Sequence, residues 1–191
     1  SCRAKATASG VLRLPGATTA WRTPRRVHSS TNVAQNVAAV SPEELMPPIV
    51  SPMRVEIWSD VVCPWCFIGK RRFDNAIEVL RQKGITEPIE VVFKAYQLDP
   101  SAPVGVPTPV VEGYAKKFGG RERAEQILNH VTNVAAADNI EFNMDIALRA
   151  NTILAHRALH WALEHHGAVT QAIFKERLMK AYFSDGLNVG D

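Results

Sequence analysis

The stretch Val55-Glu56-Ile57-Trp58-Ser59-Asp60-Val61-Val62-Cys63-Pro64-Trp65-Cys66-Phe67-Ile68 decides the reading of this chain. Its first four residues alternate apolar and polar side chains and favour extended backbone, the pattern of a short strand. Past the cysteines, Phe67, Ile68, Phe73, Ile77 and Leu80 recur at helical spacing as far as Gly84, a helix stop. The two cysteines therefore fall at a strand-to-helix junction. Ile89-Glu90-Val91-Val92-Phe93 then reads as a second strand and completes a β–α–β unit.

That placement gives the cysteines a chemistry. Two thiols separated by two residues can close a small disulfide ring with little backbone movement. At a helix N-terminus the first thiol meets unpaired backbone N–H groups and the positive end of the helix dipole. Both favour thiolate over thiol, so the pKa of Cys63 is expected to fall, and thiolate is the attacking form in disulfide exchange. Cys66, one turn further in, suits the resolving thiol. Pro64 fits the first helical turn, where its missing N–H would have had no partner. Trp65 offers an apolar surface beside the sulfurs. Asp60 reads either as a proton acceptor for the thiols or as a cap of the turn before the helix.

With 191 residues, 46% of them hydrophobic, the chain can bury one sizeable core. Its charge is unevenly placed. Residues 1–52 carry six basic side chains (Arg3, Lys5, Arg13, Arg22, Arg25, Arg26) against Glu43 and Glu44, whereas the remainder carries 16 basic and 17 acidic ones. A nearly neutral body gives no reason to expect nucleic acid as a partner. No apolar run approaches the ~20 residues of a membrane-spanning helix, so no membrane partner is expected either. The three cysteines are too few for a disulfide framework, because Cys2 leaves one close pair in the body.

Residues 1–40 contain no acidic side chain and are rich in Ala, Ser, Thr and Arg, the composition of a mitochondrial or plastid transit peptide or of an unstructured extension. Without a transit function the expected location is cytoplasmic. Pro47, Pro48 and Pro52 mark a linker, which places the start of the folded unit at Met53. The expected organisation is a disordered leader over 1–52, the β–α–β half with its Cys-Pro-Trp-Cys motif over 53–100, and a helical domain over 101–191. Helices are predicted at Val111–Phe118, Glu122–Asp138, Asn151–His165 and Ala168–Phe183, after a loop with Pro100, Pro103, Pro107 and Pro109.

Other features read as structural. Lys70-Arg71-Arg72 reads as a solvated helix face. Trp58, Phe67, Phe73 and Trp161 read as packing residues. His165-His166 reads as a solvated pair at a helix C-terminus. His156 and His160, four residues apart on a helix, could complete a zinc site with the cysteines, although the separation is far outside finger spacing.

The run from Met53 to Lys70, containing Val55-Glu56-Ile57-Trp58-Ser59-Asp60 and Cys63-Pro64-Trp65-Cys66, resembles the opening of the DsbA-like thioredoxin family, specifically its FrnE-type branch. The likeness continues in Phe93-Lys94-Ala95-Tyr96-Gln97-Leu98-Asp99-Pro100 and in Tyr114-Ala115-Lys116-Lys117-Phe118-Gly119-Gly120. It returns in Ala150-Asn151-Thr152, in Ala155-His156-Arg157, and from Leu178 to Asp191. The resemblance implies an α/β thioredoxin-like fold with an inserted helical domain, and dithiol–disulfide exchange with Cys63 as nucleophile and Cys66 as resolving residue. It also implies a continuation past Asp191, with a cis-proline loop, further strands and a closing helix, so the chain reads as a C-terminally truncated member.

The functional expectation is a thiol–disulfide oxidoreductase with no metal or organic cofactor, whose partners are protein or small-molecule thiols and disulfides, glutathione among them. The first rival is a glutathione-dependent isomerase or transferase of the hydroxychromene-carboxylate isomerase or kappa type. Those proteins resemble the same fold but typically carry serine where Cys63 stands. The second rival is a non-enzymatic, zinc-stabilised module.

Overall fold

The computed structural model describes residues 3–7 and 52–191. Most of the expected leader, with its transit-peptide reading, lies outside the described residues. Strand β1 (Arg3–Thr7) is an exception to the expectation that folded structure starts at Met53. It pairs antiparallel with β2 (Met53–Ser59), from Arg3 opposite Trp58 to Thr7 opposite Arg54. The physical reason is the edge of β2, whose backbone groups would otherwise lack ladder partners.

On its other edge β2 runs parallel to β3 (Ile89–Ala95), in register from Met53–Ile89 to Ser59–Ala95. The sheet order is β1-β2-β3, so the strand leading into the cysteines is the central one. Its connection to β3 is α1 (Pro64–Gln82), the crossover that a parallel pair requires. Lys83 and Gly84 end that helix: Gly84 has φ +80° and Ile85 N–H reaches back to the Leu80 carbonyl at 3.1 Å. Glycine meets the left-handed turn there without a Cβ penalty.

The remaining helices are α2 (Val110–Phe118), α3 (Arg121–Ala137) and α4 (Ile153–Phe183). They match the predicted segments closely. Gly167 does separate two helical stretches, as expected: its φ of 79° and ψ of 174° put a kink inside α4. A two-residue pair, β4 (Thr108–Pro109) with β5 (Leu148–Arg149), ties the loop before α2 to the segment before α4. That pair was unpredicted, because two residues carry no periodicity.

One apolar cluster joins the motif to the helices. Val61, Cys63, Cys66, Phe67 and Ile68 pack with Val110, Leu128, Val131, Phe142, Leu159, Met179, Tyr182 and Phe183. The Phe67 ring lies 5.9 Å from those of Phe142 and Phe183, which stack on each other at 4.4 Å. The first turn and a half of α1 is therefore held by residues far away in sequence.

Two sequence readings need correction. Lys70 is not on a solvated face. It is buried, with Nζ donating to Asp74 at 2.7 Å and to Glu176 at 2.6 Å. Arg71 also pairs with Glu176, and Arg72 with Asp138, so the basic run fastens α1 to α4 and to the end of α3. Apart from Asp74, the acceptors are more than sixty residues away, which is why the local sequence reads as solvated. Trp161 is 55% exposed rather than core, and its ring stacks on His165 at 4.8 Å. His165 Nδ1–H donates to the Trp161 carbonyl at 2.9 Å, the helix-end role read from the sequence.

Candidate functional site

Cys63 occupies the N-cap position of α1, with extended backbone (φ −93°, ψ 113°) and Pro64 directly after it. Its carbonyl accepts from Cys66 N–H at 3.0 Å and Phe67 N–H at 3.2 Å, which starts the helix at the motif itself. The sequence therefore places the thiol where a helix N-terminus can act on it. Cys63 carries a free thiol and is not joined to Cys66. Both cysteines are buried, whereas Trp65 between them is 51% exposed, 6.2 Å from the ring of His130 on α3.

The expected fall in the Cys63 pKa is not what the site produces. Burial pushes the thiol above its ordinary range, and the nearby Asp60 carboxylate adds to the rise. The N–H groups of Cys66 and Trp65 pull the other way, so the helix-terminus effect is present but is outweighed. A sequence shows the helix start; it does not show how deep the sulfur lies.

Asp60 is the hub behind the motif. Oδ1 accepts from Val61 N–H at 2.8 Å and lies 3.1 Å from His156 Nε2, while Oδ2 accepts from Leu98 N–H at 2.7 Å. Burial works to raise the Asp60 pKa, but the hydrogen bonds from His156 and Leu98 and the attraction of His156 reverse it. The carboxyl stays below its usual range and remains ionised. Its bond to Val61 N–H lies in the turn before the helix, while the N-cap of α1, Cys63, has no side-chain cap hydrogen bond.

His156 departs from the zinc reading. Its Nε2 is committed to Asp60 rather than to an ion shared with His160, and among the described residues no three His, Cys, Asp or Glu side chains converge as a metal site.

Two further polar residues of α4 went unnoticed in the sequence. Gln171 clamps the backbone of β3: its Oε1 accepts from Phe93 N–H at 2.9 Å and its Nε2 donates to the Phe93 carbonyl at 2.8 Å. Lys175 is 1% exposed, its Nζ 3.4 Å from the Ser59 carbonyl and 5.2 Å from the centre of the Phe93 ring. Burial lowers its pKa to about 8, against the attraction of Asp60 and Cys63. The available signal was a polar pair four residues apart on the stripe that also carries Met179 and Phe183, a stripe otherwise read as core.

A parallel strand pair bridged by a helix that opens on Cys63-Pro64-Trp65-Cys66 defines a thioredoxin-like α/β protein. The DSBA-like thioredoxin domain matches residues 54–191, and the chain belongs to that family. Among solved structures, it is similar to a probable DsbA oxidoreductase from Streptomyces coelicolor, with 31% identity and a TM-score of 0.62 over 72% of this chain and 57% of that one. Among curated proteins it is similar to YwbO of Bacillus subtilis, 26% identical over 142 residues, or 73% of this chain and 60% of the relative. The chain thus spans less than two thirds of the length of each. No described helix is long and apolar enough to cross a membrane.

Proposed function

We propose that the chain takes part in dithiol–disulfide exchange, with Cys63 as nucleophile and Cys66 as resolving thiol. The observation that carries this reading is the free Cys63 thiol at the N-cap of α1, one helical turn before Cys66. Membership of the DSBA-like family supports it. The Cys63 thiolate attacks one sulfur of a substrate disulfide, forming a mixed disulfide and expelling the other sulfur as thiolate. Cys66 then attacks the Cys63 sulfur, releasing the second substrate thiol and leaving the protein oxidised by two electrons. The reverse sequence oxidises a substrate dithiol. Exposed Trp65 supplies apolar surface for a partner at the motif. Partners are protein or small-molecule thiols and disulfides, and an assignment to the FrnE-type branch fits the same residues.

The test is reduction of a model disulfide by the reduced chain, with Cys63→Ser expected to abolish turnover and Cys66→Ser to trap a mixed disulfide. Undiminished turnover in Cys63→Ser overturns the reading. The isomerase or transferase alternative predicts instead saturable glutathione binding and turnover that survives loss of Cys66.

A further inference from the structure

Past the kink at Gly167, the second half of α4 stays in contact with the first: Gln171 Nε2 donates to the Leu159 carbonyl at 3.2 Å. Between these two halves and β3 lies a cavity of about 130 Å³, lined by Phe93, Lys94, His156, His160, Glu164 and Lys175 among others. Neither Cys63 nor Cys66 belongs to its lining, and disulfide exchange makes no use of it.

Lys175 is the most deeply buried charged side chain of that lining, at 1% exposed. An ammonium offers three N–H donors. Among the described residues Nζ has one acceptor, the Ser59 carbonyl at 3.4 Å, besides the Phe93 ring 5.2 Å away. No described carboxylate forms an ion pair with it. Asp60 attracts it through space, but the Asp60 oxygens are taken by Val61 N–H, Leu98 N–H and His156. Burial lowers the Lys175 pKa only to about 8, so the charge persists at neutral pH. Water in the cavity would supply acceptors but no counter-charge, and a buried, unpaired charge is costly.

The remaining lining selects the kind of anion. Lys94, paired with Glu56 at 3.3 Å, and the imidazoles of His156 and His160 add basic groups, while the exposed Glu164 is the one carboxylate in the described lining. Phe93, Leu159 and Leu163 supply an apolar wall, which suits a short alkyl group rather than a second charge. At ~30 Å³ per water the volume corresponds to roughly four waters, the size of a carboxylate bearing one or two carbons. We propose that the β3–α4 cavity is a binding site for a short-chain monocarboxylate, its oxygens accepting from the Lys175 ammonium and its alkyl end against Phe93, Leu159 and Leu163. The site goes beyond the exchange reading and does not depend on it.

The experiment titrates acetate into the full chain, labelled with carbon-13 at lysine, at constant ionic strength and neutral pH, and follows the assigned Lys175 side-chain resonance. That signal should shift saturably, while the exposed Lys83 and Lys180 drift only in proportion to the acetate added. Absence of a saturable shift at Lys175 overturns the proposal and leaves water as the cavity's occupant. Benzoate, too large for the cavity, and inorganic phosphate, with no alkyl end, should produce no saturable shift; an equal response to either one overturns the short-chain monocarboxylate assignment. Lys175→Met should weaken acetate binding, measured by equilibrium dialysis, by on the order of tenfold or more, the loss of a hydrogen bond to a charged group. Undiminished binding in that variant overturns the proposal as well. Because the resonance titration uses the unaltered chain, it decides the question even if Lys175→Met does not fold.

Discussion

The carboxylate of Asp60 and the imidazole of His156 meet at 3.1 Å with both side chains buried, although 96 residues separate them in the chain. The contact joins the turn before the cysteine motif to the start of α4. It holds ionised a carboxylate whose charge acts on the Cys63 thiol.

From that contact follows a prediction for Asp60→Asn. The ionised carboxylate helps hold the Cys63 pKa up, so replacing it by a neutral amide of the same shape should lower the pH midpoint of Cys63 alkylation by iodoacetamide. A midpoint that rises, or stays put, would contradict the charge placement. The same substitution should change the acid limb of stability. The folded-state pKa of Asp60 is depressed from 3.8, so its contribution is present above that value and is lost as pH falls through the folded one. Thermal melts between pH 6 and pH 2, on the order of the range where such a carboxyl titrates, should therefore show a shallower acid decline in Asp60→Asn than in the parent.

Phe67 is the side chain through which the motif helix is anchored. It is 2% exposed and touches Phe142 and Phe183 in the aromatic cluster. Phe67→Ala should cost about 3–5 kcal/mol, the range for a buried aromatic that leaves a cavity. Urea unfolding monitored by far-UV circular dichroism measures it, and a cost below about 1 kcal/mol, the scale of ordinary surface changes, would mean that the site collapses around the hole.

The kink at Gly167 gives a cleaner backbone test. Its φ is 79°, and a Cβ added there would meet nothing within 4 Å, so sterics against neighbours play no part. Gly167→Ala should then cost the strain of an extended, positive-φ backbone that is essentially confined to glycine, on the order of 1–3 kcal/mol. The same substitution at Gly69, which lies inside α1 with open space around it, should be neutral or stabilising through helix propensity. A comparison of the two melting temperatures decides the matter, and equal shifts would rule out backbone strain as the cause.

The sequence exposed what is local and left hidden what is long-range. The strand–Cys63–helix junction, the helix ends at Gly84 and Gly119, and the break at Gly167 all follow from patterns within a few residues of each position. The pairing of Lys70 with Glu176, the bond from His156 to Asp60, and the burial of Lys175 depend on elements 50 to 120 residues apart and leave no periodic trace. Cys63 shows both sides. Its proposed role as nucleophile is read from spacing, while the direction of its pKa shift is set by depth, which only the packed fold determines. Strand β1 belongs with the second group, because edge pairing joins segments by backbone groups that every sequence possesses.

The last prediction concerns the ion bridge between α1 and α4. Lys70 Nζ is buried between Asp74, on its own helix, and Glu176, whose carboxylate also takes Arg71 at 2.8 Å. The hydrogen bonds from Lys70 and Arg71 hold the Glu176 pKa below its usual range against the burial that works to raise it. Removing Lys70 leaves Glu176 with Arg71, whereas removing Glu176 leaves the buried ammonium with the half-exposed Asp74. The two single variants should therefore differ, with Glu176→Gln costing more than Lys70→Met, because a methionine can fill the lysine's channel without a charge to satisfy. A double-mutant cycle on Lys70→Met and Glu176→Gln should return a coupling of about 1–3 kcal/mol, the range for contacting residues in one network. Additive effects would show that Lys70 and Glu176 do not couple the two helices.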